Sequence, residues 1–285
     1  MFSKKTNEPE IAIINIEGPI ETKKRKFSTS KVVNSNKVTK KIRDITEKDH
    51  VKALLLKINS PGGSAAGSKE IYEEILRFKN KTGKKVFASM QDMAASGGYY
   101  IAMAADKVFA NHSTITGSIG VIMQFANLQE LNKKIGIEHN TFTSGTFKDI
   151  GNPNREMSVE EKAHLDEMVH DVYEQFLKVV SKGRDFSYDK AEEIADGNIY
   201  TGKQAKELGL VDGLKTFYQV IDQLKKELGS NYSDLKINTY NDESDGLLSK
   251  IKKIVSGIPN GQNININLKG VNTTPNIGIR YELKQ

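Results

Sequence analysis

The chain has 285 residues, 37% hydrophobic and 27% charged, with a formal net charge of +6. This length supports a substantial core in one large domain or two small ones. The chain has no cysteine, which excludes disulfides, thiol nucleophiles and cysteine metal sites. No stretch reaches the ~20 apolar residues that span a bilayer, and MFSKKTNEPE lacks the apolar core of a secretory signal, so the chain reads as soluble or membrane-peripheral.

IAIINIEG (11–18) reads as a buried strand that stops at Gly18-Pro19. Residues 20–36 read as a polar, basic loop, with Lys23, Lys24, Arg25 and Lys26 in one run and Lys40, Lys41 and Arg43 beyond it. Such a run is a solvated surface, or a contact for anionic lipid or an acidic peptide. No zinc spacing or stacking motif accompanies it, so no nucleic-acid partner is expected. Val38, Ile42 and Ile45 recur at helical spacing. VKALLLKIN (51–59) is a second buried strand, stopped by SPGG. Ile71, Ile75 and Leu76 mark a helix, and KKVFASM (84–90) is a third strand, running into DMAASGGYYIAMAAD (92–106). This alternation predicts an α/β fold with a largely parallel sheet.

KVFA (107–110), STITGSIGVIM (113–123) and IEHNTFTSGTF (137–147) read as extended. Ser158 and Glu161 form a capping box. Leu165, Met168, Val169, Val172, Phe176 and Val180 follow with helical period, so 158–182 is expected to be one long amphipathic helix whose apolar face meets the core or another subunit. Leu247, Leu248, Ile251, Ile254 and Val255, interleaved with lysines, predict a short basic helix that docks on a neighbouring subunit or lies on a membrane surface. Residues 259–276 read as a linker and NIGIRYEL (276–283) as a terminal strand.

Ser96 stands where a strand should turn into a helix, with Gly97 and Gly98 after it. Small residues permit a sharp turn and close approach of a substrate, and the first N–H groups of the helix are free to face a negative charge. This is the geometry of a nucleophilic serine; a tight helix–sheet contact would demand the same small residues. INSPGGSA (58–65) is a second strand-to-loop turn, where Pro61 and two glycines allow amides to point one way. Ends of neighbouring parallel strands lie side by side, so the Gly63 and Gly97 amides are natural partners in an oxyanion hole.

The base is less legible. None of His50, His112, His139, His164 and His170 has a glycine-shaped setting or an evident carboxylate to orient it. A lysine serves if burial lowers its pKa from ~10.4 toward neutrality. Lys148, in TSGTFKDIG, follows an extended segment in a loop with two glycines and is the local candidate.

In order, INSPGGS, MAASGGYYIAMAAD, TGSIGVI (116–122), SGTFKDIGNPNREM (144–157), SKGR (181–184) and ADGNIYTGKQAKELGLVDGL (195–214) resemble the signal peptide peptidase A family over roughly residues 9–225. These are Ser/Lys-dyad serine peptidases of the ClpP/crotonase superfamily, and the chain looks like the short, single-domain type found in Bacillus and relatives. The resemblance implies a fold of repeated β-β-α units with a C-terminal extension, divided as tail 1–8, peptidase domain 9–240 and extension 241–285. It implies Ser96 as nucleophile, Lys148 as general base, Ser118 as the serine that holds the lysine, and the Gly63 and Gly97 amides as the oxyanion hole, with no metal or other cofactor. It implies unstructured peptide substrates such as remnant signal peptides, an octameric ring whose subunits each supply both dyad residues (neighbouring subunits supply them in some relatives), and a membrane-anchored protein with its site outside the cytoplasm, although no anchor is seen in this sequence. It also implies a C-terminal tail able to enter the groove and be trimmed.

Overall fold

The computed structural model describes residues 8–22, 32–229, 234–240 and 280–282. The chain opens with β1 (Glu10–Glu17), β2 (Ile20–Glu21), β3 (Val33–Asn34) and α1 (Ser35–Thr46). Then come β4 (Val51–Ser60), β5 (Gly62–Ser64), α2 (Ala65–Thr82), β6 (Lys85–Ala95), α3 (Gly97–Ala102), β7 (Lys107–Ala110) and β8 (Ile115–Gly117). After α4 (Gln129–Lys134) and the long α5 (Val159–Arg184) follow α6 (Tyr188–Ile194), β9 (Ile199–Thr201), α7 (Gly202–Glu207), β10 (Gly213–Leu214), α8 (Phe217–Leu228), β11 (Lys236–Thr239) and β12 (Arg280–Glu282).

The main sheet runs β10-β7-β6-β4-β1-β11, and every pair along this path is parallel. β4 and β1 are buried along nearly their whole length, the pattern of strands covered on both faces. Side chains alternate between those faces. Ile14, Ile16, Leu54 and Leu56 join α1, α2, α3 and α5 in one core, while Ile11, Ile13 and Leu55 pack on Val220, Ile221 and Leu224 of α8. The architecture is therefore the expected single-domain α/β fold of the ClpP/crotonase kind. A small second sheet, β12-β5-β2-β3, lies at the C-terminal end of β4.

α5 matches the expected long helix, and its capping box is formed: the Ser158 hydroxyl accepts from the Glu161 N–H and the Glu161 carboxylate from the Ser158 N–H. Only the C-terminal half of its apolar stripe is buried, through Phe176, Leu177 and Val180, with Phe176 against the Tyr100 ring of α3 at 5.2 Å between centroids. Three expectations need correction. Residues 137–147 form no strand and are exposed. STITGSIGVIM forms a strand only over β8. The 20–36 loop contains two short strands, β2 and β3. The basic run 23–26, the 247–255 helix and the 259–276 linker lie outside the described residues. Among the described residues no helix is long and apolar enough to cross a membrane.

Candidate active site

Ser96 occupies the turn between β6 and α3 with φ 52° and ψ −118°. A non-glycine residue in such a region costs on the order of 1–3 kcal/mol and persists only where the surroundings fix it. Here the Ser96 N–H donates to the Gly117 carbonyl at 2.8 Å, and the Ser96 carbonyl accepts from the Tyr100 N–H at 2.9 Å. Ser96 is 1% exposed, and its Oγ is shielded with no hydrogen-bond partner among the described residues. Buried hydroxyls are normally paired, so an orphaned one calls for an explanation such as a chemical role.

The glycine turn after β4 stands against this serine. Ser60 Oγ donates to the Gly18 carbonyl at 2.7 Å and accepts from the Gly62 N–H at 3.2 Å, which fixes the turn around Pro61. Ser64 then caps α2 through the Gly67 N–H. Gly63 has φ 143°, and a Cβ there would stand 2.3 Å from the Ile20 carbonyl oxygen. A Cβ on Gly97 would lie 2.4 Å from Ser68 Oγ and 3.4 Å from the Gly63 nitrogen. The two backbones therefore adjoin as the sequence suggests, with no room for side chains between them. Gly63→Ala is expected to lower the melting temperature by about 6–12 °C, as an overpacking cost of about 3 kcal/mol would in a domain of this size; an unchanged melting curve would contradict this packing.

Ser118 also has positive φ, 49°, and its N–H donates to the Asn198 carbonyl at 2.7 Å. It follows Gly117, whose carbonyl holds Ser96, so β8 and β9 carry it to the same place. Beside it runs an open groove of about 680 Å³ between Val121 and Ile122 on one wall and Val169, His170 and Tyr173 of α5 on the other.

Lys148 is not joined to this cluster within one chain. It is exposed in the loop before α5, and its ammonium makes no hydrogen bond or ion pair among the described residues. No histidine replaces it: His112, His139, His164 and His170 are exposed, and His50 pairs with Glu10 at 3.6 Å.

The terminal strand adds what sequence reading placed only as an element. β12 pairs antiparallel with β5, with Tyr281 opposite Gly63 and Glu282 opposite Gly62. An extended segment of the chain thus lies along the strand that carries one of the two site glycines. Sequence reasoning also passed over Arg155. Its signal was a lone cation set between Asp149 and the capping Glu161.

An α/β sheet ending in a strained serine turn beside two adjoining glycines is the scaffold of a serine hydrolase. The sequence model of peptidase family S49 matches residues 78–231. A protein of Enterococcus faecium named "Putative signal peptide peptidase SppA" is 39% identical over 223 residues, 78% of this chain and 64% of that one. "Serine protease SPPA, chloroplastic" of Arabidopsis thaliana is 37% identical over 207 residues, 72% of this chain and 30% of that one. "Protease 4" of Haemophilus influenzae is 31% identical over 252 residues, 85% of this chain and 39% of that one. The matched stretch therefore spans less than two thirds of each of these relatives. The chain belongs to peptidase family S49.

Proposed function

We propose that this chain is an endopeptidase that cuts extended, unstructured peptides, remnant signal peptides among them, with Ser96 as nucleophile and Lys148 as general base. The observation that carries the reading is the antiparallel seat of β12 on β5, opposite Gly63. A peptide that adds as a strand there gains main-chain hydrogen bonds without regard to its sequence, and its carbonyl is delivered to the turn that holds Ser96.

In the proposed step the neutral Lys148 amine takes the Ser96 proton as Oγ adds to the peptide carbonyl carbon. The oxygen that becomes negative is received by the Gly63 and Gly97 amides. The carbon–nitrogen bond then breaks as the lysine ammonium returns its proton to the leaving amine. Water, deprotonated by the same lysine, cleaves the acyl-enzyme and restores Ser96. Ser118 helps hold the lysine. Residues 9–240 constitute the peptidase domain, with 241–285 as an extension that reaches back to it.

The resemblance sets eight subunits in a closed ring, each with its own dyad; we depart from it in proposing that the lysine is supplied by a neighbouring copy, as in some relatives. Two observations support this. Ser96 Oγ lacks a partner among the described residues, while Lys148 is exposed. In addition, nine of the fourteen exposed large apolar side chains among the described residues fall within 122–168, with Phe142 96% and Val159 77% exposed. Apolar surface gathered on one arm is what a subunit interface covers.

Labelling with a fluorophosphonate probe and mass mapping tests the chemistry. Attachment at Ser96 that vanishes in Lys148→Ala is expected; no labelling of folded, assembled protein would refute the assignment. In the same spectra the wild-type tail is expected to be trimmed and the Ser96→Ala tail intact, and equal masses would remove the tail as a substrate.

A further inference from the structure

We propose that Arg155 is a positioning residue for the reaction, clamping the loop that presents Lys148 onto the first turn of α5. This rests on the reading of Lys148 as general base. The guanidinium is used on both edges. Nε and Nη2 donate to Asp149 Oδ2 and Oδ1 at 3.0 and 2.7 Å, and Nη1 and Nη2 donate to Glu161 Oε2 and Oε1 at 2.8 and 2.5 Å. Nη2 also reaches the Asp149 carbonyl at 3.4 Å, and Nη1 the Glu156 carbonyl at 3.0 Å. Two bidentate pairs on one planar cation leave little freedom, and a lysine cannot reproduce the fork.

The two carboxylates belong to different parts of the machine. Asp149 directly follows Lys148, and its Oδ2 also accepts from Asn152 Nδ2 at 3.1 Å. Glu161 is 2% exposed and caps α5. The residue before Lys148 is tied to the same helix, because the Phe147 ring meets His164 at 5.6 Å between centroids. Positions 161 and 164 share one helix face. Lys148 is thus gripped on both sides by adjacent points of one rod. The other half of that rod is sunk in the core against Tyr100 of the helix that begins at the Ser96 turn. A free, long lysine side chain samples many rotamers, and fixing the backbone that carries it removes much of that search.

The clamp holds across the range where a lysine base can work. Its hydrogen bonds to Arg155, then to Asn152, pull Asp149 down to about 2, and those to Arg155 and the Ser158 N–H lower Glu161. A depressed carboxylate stabilises the fold above its unfolded value, 3.8 for Asp149, and that contribution is lost only as pH falls toward about 2. The clamp therefore stays formed throughout the neutral range.

The test compares Arg155→Ala, Arg155→Lys, Asp149→Asn and Lys148→Ala in the full chain on a fluorogenic peptide. Arg155→Ala is expected to lower kcat by about 10- to 100-fold with KM little changed. Arg155→Lys is expected to recover part of kcat. Asp149→Asn keeps the Arg155–Glu161 pair on the helix and should reproduce the loss even if Arg155→Ala folds poorly. Wild-type kcat in folded Arg155→Ala or Asp149→Asn would overturn the proposal. An active Lys148→Ala would instead sink the base assignment, a result distinct from an inactive Lys148→Ala beside a fully active Arg155→Ala.

Discussion

Lys148→Ala and Ser96→Ala are each expected to reduce kcat/KM on a fluorogenic peptide by on the order of ten-thousand-fold while leaving the fold intact. A serine hydroxyl is a weak nucleophile until a base takes its proton as it attacks. The glycine turns remain in both variants, so residual rate reflects binding and the oxyanion amides alone. The double variant should be no slower than either single one, because residues that act as a unit lose their effect together. The folding control is favourable for both sites: among the described residues, Lys148 is exposed and bonded only through its backbone, and Ser96 Oγ has no partner to lose. A Lys148→Ala enzyme within tenfold of wild type would remove the lysine from the chemistry.

The sheet was readable because its strands are buried on both faces and so appear as unbroken apolar runs, as in ALLLKI of β4. The Ser158–Glu161 box announced α5 for the same local reason: its partners are three residues apart. Ser96 was legible as a turn, since only small residues tolerate the approach of Gly98 to β4, where a Cβ would stand 2.9 Å from the Ser60 carbonyl. Residues 137–147 misled because IEHNTFTSGTF is rich in threonine and phenylalanine, residues that favour strands. They are exposed instead, so the pattern serves no core within the chain. Strand-favouring composition reports that a segment can extend, not whose surface covers it. The pairing of β12 with β5 was hidden for a related reason. NIGIRYEL reads as a strand, but a register more than two hundred residues away leaves no local mark. Lys148 poses the hardest case, since spacing alone cannot single out one lysine among many, and within one chain the structure does not join it to Ser96.

Mixing the two inactive variants should restore activity. Ser96→Ala keeps its lysine and Lys148→Ala keeps its serine, so a dyad formed between neighbours is whole wherever a Lys148→Ala copy receives the arm of a Ser96→Ala copy. For equal amounts assembled at random in a closed ring, that arrangement covers about one quarter of the sites, and the expected rate is about one quarter of wild type. The gain over either variant alone is then of the order of a thousand-fold, too large to be confused with carry-over of wild-type protein at controlled purity. Co-expression is the proper route, because copies that bury apolar arms such as the one bearing Phe142 and Val159 should exchange slowly once assembled. Labelling fixes the geometry independently: in the mixed ring the probe must attach only to the Lys148→Ala copies, which are the ones that hold Ser96. If co-expressed rings contain both variants and remain inactive, each chain closes its own dyad. The exposed loop must then fold back onto Ser96 through a rearrangement of the Arg155 clamp, so that Arg155→Ala would speed the enzyme where the ring geometry says it should slow it.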